Sequence, residues 1–278
     1  MGVSGAGPFG DRLAAAVERK GAPLCVGLDP DPALMPEGLG VVEFCRGIVD
    51  AISEYAVAVK PQAAFFEAQG AEGWAALTEV CSHAREAGLL VIADAKRGDV
   101  PSTARAYAAA FAPLADAVTV NPYLGHDSLE PFFAYEALGT LVVLKTSNPG
   151  SRDLQDLPLE DGRPLWQHVA GLVDRWGEDF VGECGLSSVG AVVGATHPEL
   201  LETARSLLPR SVLLLPGVGV QGGRLGDLAP AFAAGPASAL PSASRSVLYA
   251  DRGSGWQEAA AAEAERLAGE LRAVAVPG

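Results

Sequence analysis

The chain has 278 residues, of which 49% are hydrophobic and 19% charged, a composition that can bury a sizeable core and is unlike a disordered segment. Its 20 Lys and Arg against 34 Asp and Glu give a formal net charge of −14, which argues against a nucleic-acid or anionic-membrane partner because both need a basic face. A small anionic substrate stays open, since a few local cations can dominate one cleft.

The first residues, MGVSGAGPFGDR, have neither a basic nor an apolar leader pattern, and Ala6 stands where myristoylation needs Ser or Thr. No apolar stretch reaches spanning length without Gly, Pro or charge, so a soluble, cytoplasmic protein is expected. DRLAAAVERKG reads as a helix ahead of the first strand. Strand candidates then follow in order: PLCVGLD, AVAVKPQ, GLLVIADAK, DAVTVNP, TLVVLKTS, VGAVVGAT, VLLLPGVG and ASRSVLYA. Between them lie helical patterns such as VVEFCRGIVDAISEY, GWAALTEVCSHAREAG, PSTARAYAAAFAPLA, PLWQHVAGLVDRWGEDF and HPELLETARSLLP. WQEAAAAEAERLAGELRAVAV would be the last outer helix. The strands are almost continuously apolar, as parallel strands covered on both faces are. Strand–helix alternation over about 250 residues predicts one α/β domain, residues 1–278, folded as a (β/α)₈ TIM barrel with an extra N-terminal helix across its bottom. NPGSRDLQDLPLEDGRP, after the fifth strand, is long enough to be a lid or binding loop.

Several of these strands end in polar side chains: Asp29, Lys60, Asp94 with Lys96, Asn121, Lys145 with Ser147, and Arg245. In this architecture the C-terminal strand ends build the active site, so these groups should converge on one mouth. Within DAKRGDV, a side-chain period of two puts Asp94 and Lys96 on one side of the third strand and turns Arg97 away. Lys60, ending the neighbouring strand, could bond both Asp94 and Asp99 and complete an alternating Lys–Asp–Lys–Asp array. Such an array sets each member's protonation and places an ammonium proton donor beside a carboxylate. The same residues also suit a structural Asp94–Lys96 pair with Asp99 capping the next helix.

PGVGVQGG contains GxGxxG at Gly217, Gly219 and Gly222, but it follows the seventh strand rather than the first strand of a dinucleotide unit. A Gly-rich loop there, with a basic residue after the eighth strand, fits a phosphate site in which Gln221 and Arg245 donate. His83, His126, His168 and His197 form no metal-ligand pair, and there is no GxSxG elbow. Cys25, Cys45, Cys81 and Cys184 form no CxxC pair and are expected to be buried reduced thiols.

From LCVGLDP to ASRSVLYA the chain resembles the orotidine 5′-phosphate decarboxylase family in its longer bacterial (type 2) form. DAKRGDV looks like the family's DxKxxD signature, and GLDP, Lys60, PGVGVQGG and the terminal arginine fall in the family's order. The resemblance implies a catalytic array of Lys60, Asp94, Lys96 and Asp99. It implies a homodimer in which Asp99 and Thr103 reach the neighbour's site. Asp29 and Lys60 would bind ribose hydroxyls, and Ser147 the pyrimidine amide edge. Gln221, the backbone near Gly222, and Arg245 would hold the phosphate, with Arg252 the other arginine that could do so. The implied reaction is decarboxylation of orotidine 5′-phosphate to UMP, with no metal or organic cofactor. Two other functions remain: a magnesium-dependent sugar-phosphate decarboxylase or aldolase of the same barrel type, and a non-catalytic nucleotide-phosphate-binding barrel. The first needs an acidic metal ligand where this chain has Lys60. The second has no use for the paired acids.

Overall fold

The computed structural model describes residues 7–194, 198–218 and 225–275. Helix α1 (Phe9–Lys20) comes first, followed by eight parallel strands that close into a barrel in chain order. The strands are β1 (Cys25–Leu28), β2 (Ala58–Pro61), β3 (Leu90–Arg97), β4 (Ala117–Val120), β5 (Gly139–Lys145), β6 (Ser187–Val193), β7 (Ser211–Pro216) and β8 (Ala239–Ala243). Between and after them run α2 (Val41–Ile52), α3 (Ala63–Glu67), α4 (Ala71–Glu86), α5 (Pro101–Phe111), α6 (Glu130–Phe133), α7 (Leu165–Trp176), α8 (Pro198–Leu207), α9 (Arg245–Leu248) and α10 (Trp256–Ala275). No helix among the described residues is long and apolar enough to cross a membrane.

The apolar strands are explained by two separate cores. Cys25, Ala58, Ile92, Ala117, Leu141 and Val212 pack inside the barrel, whereas their neighbours Val26, Val59, Val91, Val118, Val142 and Leu213 pack against the outer helices. Alternation therefore buries both faces of each strand. Phe9 and Leu13 of α1 join the inner core and plug the barrel's N-terminal end, as the sequence led us to expect. Burying a ring such as Phe9 contributes roughly 1.5–3 kcal/mol. Gly139 makes room for it, since a Cβ there would lie 2.6 Å from the Phe9 ring. Arg12 ties the same helix to the sheet through Asp116, just before β4, and the carbonyl of Ala137, just before β5.

Two connections depart from strict alternation. After β4 come a 3-10 turn (His126–Ser128) and the four-residue α6. After β7 the chain forms a 3-10 stretch, Leu225–Phe232, in which Pro230 removes a donor that an α-helix would use.

The eighth strand lies earlier than ASRSVLYA. β8 is ALPSA, and Arg245–Leu248 turns into α9. Pro241 disguised it, because proline inside an apolar run argues against a ladder position. The carbonyls of Ser238 and Ser242 accept from Leu213 and Gly217 on the β7 side, so alternation turns the Pro241 nitrogen toward β1. That ladder begins only at Cys25 opposite Ser242, beyond the position where the missing N–H would have mattered.

Candidate active site

The ladder between β3 and β4 breaks at the mouth. Ala93 pairs with Val118 but Arg97 with Val120, so four residues of β3 span the space of two on β4. Lys96 takes up the slack in a left-handed conformation, φ +47°, which costs a non-glycine residue about 1–3 kcal/mol. Thr119 steadies the distortion: its hydroxyl accepts from the Lys96 backbone N–H at 2.9 Å and donates to Asp94 Oδ1 at 2.9 Å.

Asp94 is the hub of the mouth. Oδ2 accepts from Lys60 Nζ at 2.8 Å and from Gln62 Nε2 at 3.2 Å, and Oδ1 accepts from Lys96 Nζ at 2.5 Å. Asp94 and Lys60 are 3% and 5% exposed, while the Lys96 side chain is 43% exposed and so open to a ligand. Burial alone would raise the Asp94 carboxyl, but Lys60 and then Lys96 reverse this and hold it well below the usual carboxylate range. Burial alone would likewise push Lys60 down, and the charges of Asp94 and Asp29 turn the net shift upward. Both groups are therefore ionised at neutral pH. Arg97 points away, stacked over Tyr107 and Phe111 and paired with Glu67.

The fourth member of the expected array stands apart. Asp99 is half-buried, its Oδ1 accepts from the backbone of Val100 at 2.7 Å, and among the described residues no hydrogen bond joins it to Lys60 or Lys96. It does not cap α5, whose N-cap is Val100 and lacks a side-chain cap. Thr103, also half-buried, sits in the first turn of α5.

On the β1–β8 side, Asp29, Lys60, Gly217, Val218, Ser242, Ser244 and Arg245 line a cavity of about 160 Å³. Arg245 thus shares a space with Asp29 and Lys60 from the start of α9 rather than from a strand end, whereas Arg252 is exposed and outside that lining. Gln221 and Gly222, with Gly219 of the motif, lie outside the described residues, as does His197.

On the β5–β6 side, exposed Ser147 lines a second cavity, of about 590 Å³, together with Lys145, Asn148, Arg152, Asp156 and Glu199. Lys145 does not join the Asp94 cluster. A bulge pairs Val143 and Lys145 of β5 with consecutive residues of β6, and the ammonium binds Asp156 at 2.8 Å and Ser151 Oγ at 3.1 Å in the long loop. Gln155 adds a second tie, accepting from the Thr146 backbone at 2.9 Å. Asn121, another polar strand end, stabilises its own turn by accepting from Tyr123 N at 3.0 Å.

Four contributors went unrecognised in the sequence: Thr119, Gln62, Ser244 and Tyr249. Thr119 alone left a signal, being the polar residue between inward positions Ala117 and Asn121 in AVTVNP. The thiols of Cys25, Cys45 and Cys81 are buried and free as expected, but Cys184 is exposed. Among the described residues no three His, Cys, Asp or Glu side chains gather as metal ligands would.

Residues 22–261 match the model of the Orotidine 5'-phosphate decarboxylase / HUMPS family. The chain is 48% identical over 274 residues to the orotidine 5′-phosphate decarboxylase of Roseiflexus sp. (strain RS-1), covering 95% of this chain and 97% of that one. It is 45% identical over 278 residues to that of Bordetella avium (strain 197N), covering 96% and 99%. Among solved structures it is similar to Leishmania donovani OMP decarboxylase, with a TM-score of 0.80 and 38% identity over 98% of this chain and 100% of that one.

Proposed function

The chain belongs to the orotidine 5′-phosphate decarboxylase / HUMPS family, and from that premise we propose that it is the carboxy-lyase that converts orotidine 5′-phosphate to UMP and CO2 without a metal or organic cofactor. The observation that carries this reading is the Lys60–Asp94–Lys96 cluster at the barrel mouth. An ionised carboxylate gripped by two ammonium groups keeps a proton donor fixed and charged beside the space where a ring would lie. A lysine at the end of β2 opposes a divalent cation, which needs oxygen ligands, and so disfavours the magnesium-dependent siblings.

In this reading the C6–carboxylate bond breaks, CO2 leaves, and its bonding electrons remain on C6 as a vinyl-type carbanion. Lys96 stabilises that charge as an ammonium and gives C6 its proton; solvent then reprotonates the amine. Lys60 and Asp94 hold Lys96 in place, and Asp99 of a second copy completes the array, with Thr103 beside it, in a homodimer. Asp29 and Lys60 take the ribose hydroxyls, and Ser147 reads the pyrimidine amide edge. Arg245 grips the phosphate together with Gln221 and the backbone at Gly222, the latter two assigned from PGVGVQGG alone. The shared cavity of Asp29, Lys60 and Arg245 supports placing sugar and phosphate there. Enzymes lower barriers by about 8–23 kcal/mol or more, beyond what one ion pair supplies, so phosphate binding remote from C6 must contribute.

The test follows orotidine absorbance with EDTA-treated protein and a Lys96→Ala variant. Rapid metal-free loss of signal, slowed at least about 10²-fold in the variant, is the expected result. Turnover only with Mg²⁺ and a sugar phosphate would reassign the chain to the sibling activity. Tight nucleotide binding without turnover would make it a binding protein.

A further inference from the structure

Asp29 follows β1 directly, and its two carboxylate oxygens differ. Oδ2 accepts from Ser244 Oγ at 2.6 Å, whereas Oδ1 is buried and has no hydrogen-bond partner among the described residues. A buried carboxylate oxygen without a donor is unfavourable, so a ligand hydroxyl that reaches it is bound strongly. The cavity it borders is shared with Lys60 and Arg245.

Asp29 is held by one short segment after β8. Besides the Ser244 bond, the Tyr249 hydroxyl donates to the Asp29 carbonyl at 2.7 Å and accepts from Asp31 N at 2.8 Å. One phenol thus fixes both sides of the turn that carries Asp29. Burial pushes that phenol up to about 12, so it remains a donor at neutral pH. Its ring stacks on Phe44, centroids 5.9 Å apart and planes 8° from parallel. Gly27 permits the close approach of Ser244, because a Cβ at Gly27 would lie 2.9 Å from the Ser244 Cβ. Ser244 is also the immediate neighbour of Arg245, so one segment orients the carboxylate and carries a cation that lines the same cavity.

We propose that Ser244 and Tyr249 are positioning residues that aim Asp29 Oδ1 at a hydroxyl of the substrate's sugar. The inference rests on the functional reading above and adds the residues that set the geometry of sugar recognition. A purely structural role, as a staple across the short β1–β8 ladder, would predict losses unrelated to the sugar.

The experiment compares wild type, Tyr249→Phe and Ser244→Ala on orotidine 5′-phosphate and its 2′-deoxy and 3′-deoxy analogues, measuring kcat and KM. Tyr249→Phe keeps the stacked ring and removes one hydroxyl. Each variant should lose about tenfold in kcat/KM on the full substrate, the scale of one hydrogen bond to a charged group. The loss should shrink to about twofold or less on the analogue lacking the hydroxyl that Asp29 receives, because that interaction is then absent in both enzymes. Equal fractional losses on all three substrates, or no loss at all, would overturn the inference while leaving the decarboxylase reading intact. Should Tyr249→Phe fail to fold, Ser244→Ala carries the same comparison. A wild-type protein that leaves orotidine 5′-phosphate unchanged would overturn the functional reading and this inference together.

Discussion

Lys60→Met replaces a buried ammonium with an apolar chain of similar length and leaves Asp94, 3% exposed, with one cation instead of two. Thr119, Gln62 and Lys96 still donate to the carboxylate, so the damage should fall at the low end for a broken buried pair, about 3 kcal/mol. Asp94→Asn is the mirror case, leaving the buried Lys60 ammonium without its ion-pair partner beside a cavity shared with Asp29 and Arg245, and should cost a similar amount. The double variant removes both charges and should cost less than the sum of the single costs, by about 2 kcal/mol. Urea melts of the four proteins at pH 7 measure this; for a chain of this size 3 kcal/mol corresponds to roughly 6–12 °C in Tm. The coupling also has a defined pH window. Asp94 has a folded pKa below its unfolded value of about 3.9, so its contribution is present above that pH and lost as pH falls through the folded value. Lys60 has a folded pKa above its unfolded value of about 10.4, so its contribution is complete below that pH and lost as pH rises through the folded value. The coupling should therefore be flat from about pH 5 to 9. Strictly additive single costs, or a coupling that changes within that window, would refute the argument.

Three further outcomes are expected. Mixing inactive Lys96→Ala with inactive Asp99→Ala should restore roughly a quarter of wild-type activity, because half of the randomly assembled dimers would carry one intact site; no recovery after subunit exchange would remove Asp99 from the neighbour's site. Arg205, 6% exposed, donates to the carbonyls of Leu208, Ser211, Ala231 and Ser238 near the barrel's N-terminal end. Arg205→Ala strands those acceptors and should lower stability by about 3 kcal/mol or more in urea melts while leaving the kcat of the folded enzyme unchanged. Lys145→Met should release the long loop from Asp156 and Ser151, which limited trypsin digestion would report as faster cleavage after Arg152 with little change in Tm.

Much of this protein was legible in one dimension. Residues inside and outside a closed parallel barrel are both apolar, so the strands declared themselves as continuous runs, and DRLAAAVERKG marked the helix ahead of them, which in the structure begins earlier, at Phe9. The period of two placed Asp94 and Lys96 on one side of β3, with Lys60 on the adjacent strand, and two of the bonds of the expected array followed. Local pattern fails where the ladder does. Pro241 hid β8 because its harmlessness depends on where the β1 ladder starts. Lys145 left the mouth because a bulge against β6 turned its side chain toward the long loop. Lys96 reaches Asp94 through a left-handed backbone that a regular strand would not predict, held by Thr119 from the next strand. Ser244 and Tyr249 lie more than 200 residues from Asp29 and meet it only because the barrel closes β8 against β1. Side-chain periodicity is a property of a few consecutive residues, so the sequence determined most of the elements and, where the ladder is regular, the side on which a charge stands. Register, bulges and closure involve two strands at once, and they alone decided which charges touch.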